Sequence, residues 1–202
     1  MSTPSPATRC VAAFDFDGTI AQRDSLGPFL VRVAGATGLA RALAVHSPRI
    51  VGVALGRSDR DATKEAVMMS VLGGRTAGSV AGAGHAYADH LWEQKKFRPE
   101  MMERLRWHRR EGHEIVIVSA SLDSYLTPLA PRLGVDHVIS TSLEVDDRGF
   151  VTGRLAGGNV RGPEKASRLR VWLGDGPVEL WAYGDSSGDD ELLAMANHPT
   201  RV

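Results

Sequence analysis

The sequence predicts an α/β fold: a parallel sheet covered by helices on both faces, with a small helical unit inserted after the first strand. Three observations predict it. Short apolar runs at residues 11–16, 115–118 and 178–183 have the continuous apolarity of strands buried on both faces. Beyond residue 98 these runs alternate with helix signals, the rhythm of a parallel α/β sheet. Between them, residues 24 to about 97 are rich in Ala, Gly and Met and show little strand character.

Taken in order, the first strand covers 11–16. In the inserted unit, Ser58-Asp59-Arg60-Asp61 has the acceptor-then-acid spacing of a capping box and opens a helix to about Leu72, which Gly73-Gly74 ends. A second helix there spans about 86–97. Pro99 suits the first position of the next helix, whose apolar face carries Met101, Met102 and Leu105 before Gly112. A strand at 115–118 follows, then a helix over 121–130 that Pro128 would distort. The segment 135–139 is a third strand, and 143–155 reads as a hairpin turning at Asp147-Arg148-Gly149. Pro163 begins a helix to Leu173 with Ala166, Leu169 and Leu173 on one side. A buried strand at 178–183, a short helix at 189–196 and the start of a further strand at Pro199 follow, the last either a short edge strand or a strand that continues in a longer native chain. The expected organisation is a loose tail at 1–8, a core domain from 9–22 and 98–202, and a helical cap domain at 23–97.

Composition narrows the class. A chain of 202 residues with 43% hydrophobic and 24% charged residues is typical of one good globular core. Lys+Arg and Asp+Glu both total 24, which argues against a nucleic-acid footprint. The lone Cys10 rules out an internal disulfide framework and fits a reducing, cytoplasmic location. The most apolar stretch, 26–45, is interrupted by Arg32 and Arg41, so no transmembrane segment is expected, while peripheral access to lipid stays open. The seven histidines show no metal-ligand spacing, and His113, beside Gly112, reads as a surface loop residue.

The chemistry lies where the strands end. Asp15 and Asp17 close the first run, Ser119 and Ser121 the second, and Gly184-Asp185 with Asp189 and Asp190 the last. Parallel strands in register bring all of these to the carboxyl rim of the sheet, where ligands bind in open α/β folds. Several carboxylates gathered at one rim need a cation, and hard oxygen donors favour Mg²⁺. Lys165 adds a positive charge close to a helix N-terminus, whose unpaired N–H groups suit an anion. Each residue also has a structural reading: a helix cap for Asp17 or Ser119, a solvated lysine for Lys165. Carboxylates, a cation, a hydroxyl and a lysine together describe phosphoryl transfer.

Asp15-Phe-Asp17-Gly-Thr19, Ser119 after Ile-Val-Ile-Val, Lys165, and Gly184-Asp185-Ser-Ser-Gly-Asp189 resemble, in order, the motifs of haloacid-dehalogenase-like phosphatases, in the branch that contains phosphoserine phosphatase. The resemblance spans nearly the whole chain. It implies a Rossmann-like core with a helical cap, and a Mg²⁺-dependent phosphomonoester hydrolase. Asp15 would be the nucleophile, forming an aspartyl-phosphate, and Asp17 the general acid and base. Asp15, Asp185 and the carbonyl of Asp17 would hold Mg²⁺. Ser119, Ala120 and Lys165 would receive the phosphoryl group, and Asp189 would orient Lys165 or a metal-bound water. Asp24 stands where phosphoserine phosphatases carry the glutamate that grips the substrate ammonium, and Arg57 could match the cap arginine that meets the substrate carboxylate. The stretch from Asp24 to Phe29 also resembles phosphatidylglycerophosphate phosphatases, which leaves a lipid phosphate of phosphatidylglycerophosphate or lysophospholipid type, or phosphoserine, as alternatives to another small phosphomonoester. Phosphotransfer to an acceptor alcohol would use the same residues; Asp17, able to activate water, favours hydrolysis and argues against dehalogenation.

Overall fold

The computed structural model describes residues 8–202, and within them leaves the side chains of 60, 61 and 64 undescribed. The tail expected at 1–8 therefore lies almost wholly outside the described residues, as does the acidic side chain at the end of the expected capping box. Six strands form one sheet in the order β4-β3-β2-β1-β5-β6. They are β1 (Arg9–Phe14), β2 (Glu114–Leu122), β3 (His137–Val145), β4 (Val151–Ala156), β5 (Val178–Gly184) and β6 (His198–Arg201). All neighbours are parallel except β3 and β4, which form the hairpin.

Alternation along the central strands divides the core in two. Ala12 and Phe14 with Ile115 and Ile117 face one side, against Met101 and Leu105 of α5 (Pro99–Arg110) and Leu126 and Leu129 of α6 (Asp123–Leu133). Val11 and Ala13 with Val116 and Val118 face the other, against Leu169 of α7 (Pro163–Leu173) and Leu192 and Leu193 of α8 (Asp190–Ala194). Complete burial on both faces explains why these strands carry no polar alternation. It also explains why polar residues appear only where the strands leave the core.

Four helices stand between β1 and α5: α1 (Leu26–Val45), α2 (Ser47–Ala54), α3 (Arg60–Leu72) and α4 (Ala77–Gln94). The outgoing and returning chains run side by side. Gln22 N–H donates to Lys96 O at 3.0 Å and Arg98 N–H to Ile20 O at 2.9 Å. At the far end, the turn between α3 and α4 is bonded to the β3–β4 hairpin, with Gly74 N–H on Val151 O and Ala77 N–H on Gly149 O, both 2.8 Å. Between these anchors α4 lies directly on α6: a Cβ at Gly84 would stand 2.0 Å from the Ser124 carbonyl oxygen, so only glycine permits the contact.

Several boundaries differ from the sequence reading. The cap of α3 is Asp59, whose carboxylate accepts the Ala62 N–H at 2.7 Å, one residue beyond the expected Ser58. Helix α4 begins nine residues earlier than the expected 86, and α6 continues through both Pro128 and Pro131. Helix α1 is long and apolar enough to cross a membrane by length and composition, with a mean hydropathy of 1.3. It breaks at Gly35, where φ is +72°, and contributes Leu26, Phe29, Leu30 and Ala42 to the buried interior. Only 17% of its apolar window is buried, which leaves Val31, Leu43 and Val45 exposed.

His113 is not a free loop residue. Its Nδ1 lies 2.8 Å from Nδ1 of the fully buried His108, whose Nε2 lies 2.9 Å from the Tyr183 hydroxyl. Trp181 stacks between His113 and His198, each at 4.5 Å. Burial, then the neighbouring His113 and Arg104, push His108 down to a pKa of about 4. Unfolding restores the ordinary value of about 6.5. The unfolded chain then binds more protons between those values, so this group's contribution to stability is present above about pH 6.5 and is lost as pH falls towards 4. Its full size is about 3 kcal/mol. Buried carboxylates with raised pKa act in the opposite sense, so the comparison must isolate His108. Between pH 7 and pH 4.5, urea unfolding should show the wild type losing more stability than His108→Gln; equal losses would refute the assignment.

Candidate active site

The carboxyl ends of β1, β2 and β5 and the first turn of α7 surround a cleft of about 260 Å³. Asp15, Asp17, Asp24, Ser119, Ala120, Lys165 and Asp185 all line it. The register that aligns Phe14 with both Ile117 and Tyr183 sets these strand ends side by side. After β1 the chain turns sharply at Gly18, where φ is +82° and a Cβ would lie 2.2 Å from a carboxylate oxygen of Asp185. A side chain at 18 would therefore push the β1 loop off the β5 loop.

Lys165 is the third residue of α7 and is 3% exposed. Its Nζ donates to Asp15 Oδ1 at 2.5 Å and to Asp189 Oδ1 at 2.6 Å. Asp189 is completely buried, and its other oxygen accepts the Ser186 N–H at 3.0 Å, closing a capping box on the 3₁₀ turn Ser187–Asp189. Both of its oxygens are thus committed to fixed donors. The adjacent Asp190 points outward and pairs with Arg201. Burial lowers and the two carboxylates raise the affinity of Lys165 for its proton; the carboxylates prevail, and its pKa lies above the usual lysine value.

Oxygens of Asp15, Asp185 and Asp189 lie within 4.8 Å of one another. Burial raises Asp15 to a pKa of about 6 despite Lys165, and burial followed by Asp189 raises Asp185. One lysine against three carboxylates leaves the site short of positive charge. The donors are all oxygen, so a hard divalent cation fits them. The carboxylate of Asp17 lies outside this cluster. Its Oδ1 accepts the Ser25 N–H at 2.9 Å and its Oδ2 accepts the Ser121 hydroxyl at 2.6 Å. Burial lifts its pKa to about 7; the Ser121 and Ser25 hydrogen bonds only partly offset this, and Asp24 and Asp15 add to it. That value suits a group that must both give and take a proton near neutrality.

Two residues expected to recognise substrate fare differently. Asp24 lines the cleft, and its Oδ2 also accepts the Gly27 N–H at 2.9 Å, steadying the start of α1. Arg57 does not reach the cleft: it lies exposed in the turn between α2 and α3 and is absent from the lining. The arginine that does line the cleft is Arg161, with Asn159 beside it and Glu65 of α3. Sequence reasoning assigned Val160-Arg161-Gly162 no role, although its position just before the Lys165 helix is a signal that could have found it. The same reasoning put Ser121 at the rim without a task and passed over Ser25 and Tyr125.

The haloacid dehalogenase-like hydrolase family model matches residues 12–194. The chain is 36% identical over 187 residues to Protein CicA of Caulobacter vibrioides, covering 93% of this chain and 83% of that protein. It is 29% identical to the phosphoserine phosphatase SerB2 of Mycobacterium tuberculosis, over 94% of this chain and 43% of that one. Among solved structures, a protein of Bordetella pertussis Tohama I superposes with a TM-score of 0.75 at 24% identity, covering 93% and 87% of the two chains. A probable phosphoserine phosphatase from Vibrio cholerae gives 0.66 at 21%, covering 96% of this chain and 55% of that one. The chain belongs to the haloacid dehalogenase-like hydrolase family. It is therefore an enzyme of the hydrolase type.

Proposed function

We propose that the protein hydrolyses phosphomonoesters with the help of Mg²⁺, through an aspartyl-phosphate on Asp15. The observation that carries this reading is the pairing of two aspartates with separate tasks. Asp15 is held by a buried lysine beside a carboxylate cluster, whereas Asp17 is held by neutral donors at a pKa of about 7. In the first step an oxygen of Asp15 attacks phosphorus and the ester P–O bond breaks. Asp17 gives its proton to the departing alkoxide. In the second step Asp17 takes a proton from water, the water oxygen bonds to phosphorus, and inorganic phosphate leaves as the Asp15 carboxylate is regenerated. Ser119 and Lys165 would hold the phosphoryl oxygens throughout. Asp15, Asp185 and the Asp17 carbonyl would hold Mg²⁺, which when bound adds positive charge at the transferring group. Asp24, Glu65 and Arg161 line the part of the cleft where the rest of the substrate would lie.

One observation favours a substrate with an apolar chain. An apolar groove of about 380 Å³ adjoins the cleft and shares Asp24 and Leu26 with it. Leu30, Leu39, Leu43, Ile50, Val53 and Val67 line it. A phosphate seated near Asp15 would direct an attached chain past Leu26 into this groove, which supports the lipid-phosphate reading.

A single panel tests both readings: phosphoserine, sugar phosphates, an aryl phosphate, and alkyl phosphates of rising chain length below micelle formation. Phosphate release is expected in Mg²⁺, lost in EDTA and restored by Mg²⁺; no release from any ester refutes the hydrolase. If the groove takes the chain, kcat/KM should rise about threefold to fourfold per added methylene until the groove is full. A flat series removes the apolar substrate and leaves the hydrolase standing.

A further inference from the structure

Behind Asp17 lies a run of hydroxyl groups that the reaction above does not use. Ser121 Oγ, 2.6 Å from Asp17 Oδ2, is 3.2 Å from Ser25 Oγ, which in turn is 2.9 Å from the Tyr125 hydroxyl. Ser25 meets Asp17 a second time through its N–H, and its carbonyl accepts the Tyr87 hydroxyl at 2.9 Å. Ser25, Ser121 and Tyr125 are each at most 2% exposed, so bulk water does not compete for these bonds.

The pieces come from separate parts of the chain. Ser25 precedes α1 and Tyr87 belongs to α4, both in the inserted helices. Ser121 belongs to β2 and Tyr125 to α6, both in the sheet domain. Neither fold requirement nor packing asks for three hydroxyls here: Phe29 and the rings of Tyr87 and Tyr125 already fill the surrounding space with aromatic contacts. Buried hydroxyls cost free energy unless satisfied. Among the described residues they are satisfied by one another and by Asp17.

We infer that Ser121, Ser25 and Tyr125 are positioning residues for Asp17, a hydroxyl chain that aims its carboxyl at the leaving oxygen. A serine or tyrosine hydroxyl is donor and acceptor at once and can rotate. When Asp17 has given up its proton, Ser121 donates to Oδ2 and Ser25 N–H to Oδ1. An alanine at 121 would leave Oδ2 without its shortest partner and let the carboxyl turn.

The inference rests on the reading of Asp17 as general acid, and a leaving-group comparison separates failure of one from failure of the other. Aryl phosphates expel a stable phenolate and need little help from an acid, whereas alkyl phosphates need a proton at the departing oxygen. Asp17→Asn should therefore lower kcat/KM far more on ethyl phosphate than on p-nitrophenyl phosphate. If it lowers both alike, the acid role fails and the inference with it.

Given that split, Ser121→Ala is expected to lose about 10²-fold on the alkyl ester and less than about tenfold on the aryl ester. Ser121→Thr, which keeps the hydroxyl, should restore most of the alkyl rate. Ser25→Ala retains its N–H bond to Asp17 and interrupts only the chain, so a smaller split in the same direction is expected, matched by Tyr125→Phe. A purely structural role would lower both esters equally, and that result for the folded Ser25→Ala and Tyr125→Phe proteins overturns the inference even if Ser121→Ala fails to fold.

Discussion

Asp15→Asn should reduce phosphate release from every ester by at least about 10³-fold while leaving the fold intact. The substitution keeps the size of the side chain and removes the anionic oxygen that attacks phosphorus. Lys165 keeps its second partner, Asp189 at 2.6 Å, so no buried charge is stranded. The loss is therefore chemical, and far-UV circular dichroism and urea unfolding should stay close to wild type. Borohydride reduction during turnover gives the complementary readout. An aspartyl-phosphate at residue 15 is reduced to homoserine, which peptide mass spectrometry identifies in the wild type and not in Asp15→Asn. Wild-type turnover in Asp15→Asn, or trapped label on another carboxylate, would refute the nucleophile.

The sheet and its rim were legible in the sequence because burial on both faces forces continuous apolar runs, and because carboxylates at their ends have no structural purpose. Asp15, Ser119 and Asp185 could be gathered from their places at strand ends, and Lys165 from its place in the first turn of a helix. The inserted helices were less legible for physical reasons. Helix α4 opens with Gly78, Gly82 and Gly84, which lower helix propensity, and the reason for one of them, contact with the Ser124 carbonyl, is tertiary. Helices α1 and α2 are apolar on exposed faces, so periodicity does not reveal which side is inside. Arg57 and Arg161 make the same point at the site: both follow or precede glycine in a loop, and only the turn before α7 delivers its arginine to the cleft. Ser25 and Tyr125 were invisible because hydroxyls 100 positions apart in sequence carry no shared pattern.

Lys165→Met should cost stability as well as activity, and the cost should grow with pH. In the native protein a buried ammonium sits between Asp15 and Asp189. Removing it leaves two desolvated carboxylates side by side, a loss of about 3–5 kcal/mol near neutral pH. The pH dependence follows from Asp15. Burial already raises its pKa to about 6 with the lysine present as a counterweight, and removing the lysine can only move it higher. Its unfolded value is about 3.9. A carboxylate raised on folding favours the folded state when protonated, so stability is greatest at low pH and declines as pH rises through the folded value. The deficit of Lys165→Met relative to wild type should accordingly be largest between pH 7 and 8 and shrink towards pH 5, as read by urea unfolding in EDTA. A deficit that stays constant across that range would point to lost packing around the lysine stem. No deficit at all would mean that Lys165 does not neutralise the two aspartates, and the electrostatic account of the site would have to be abandoned.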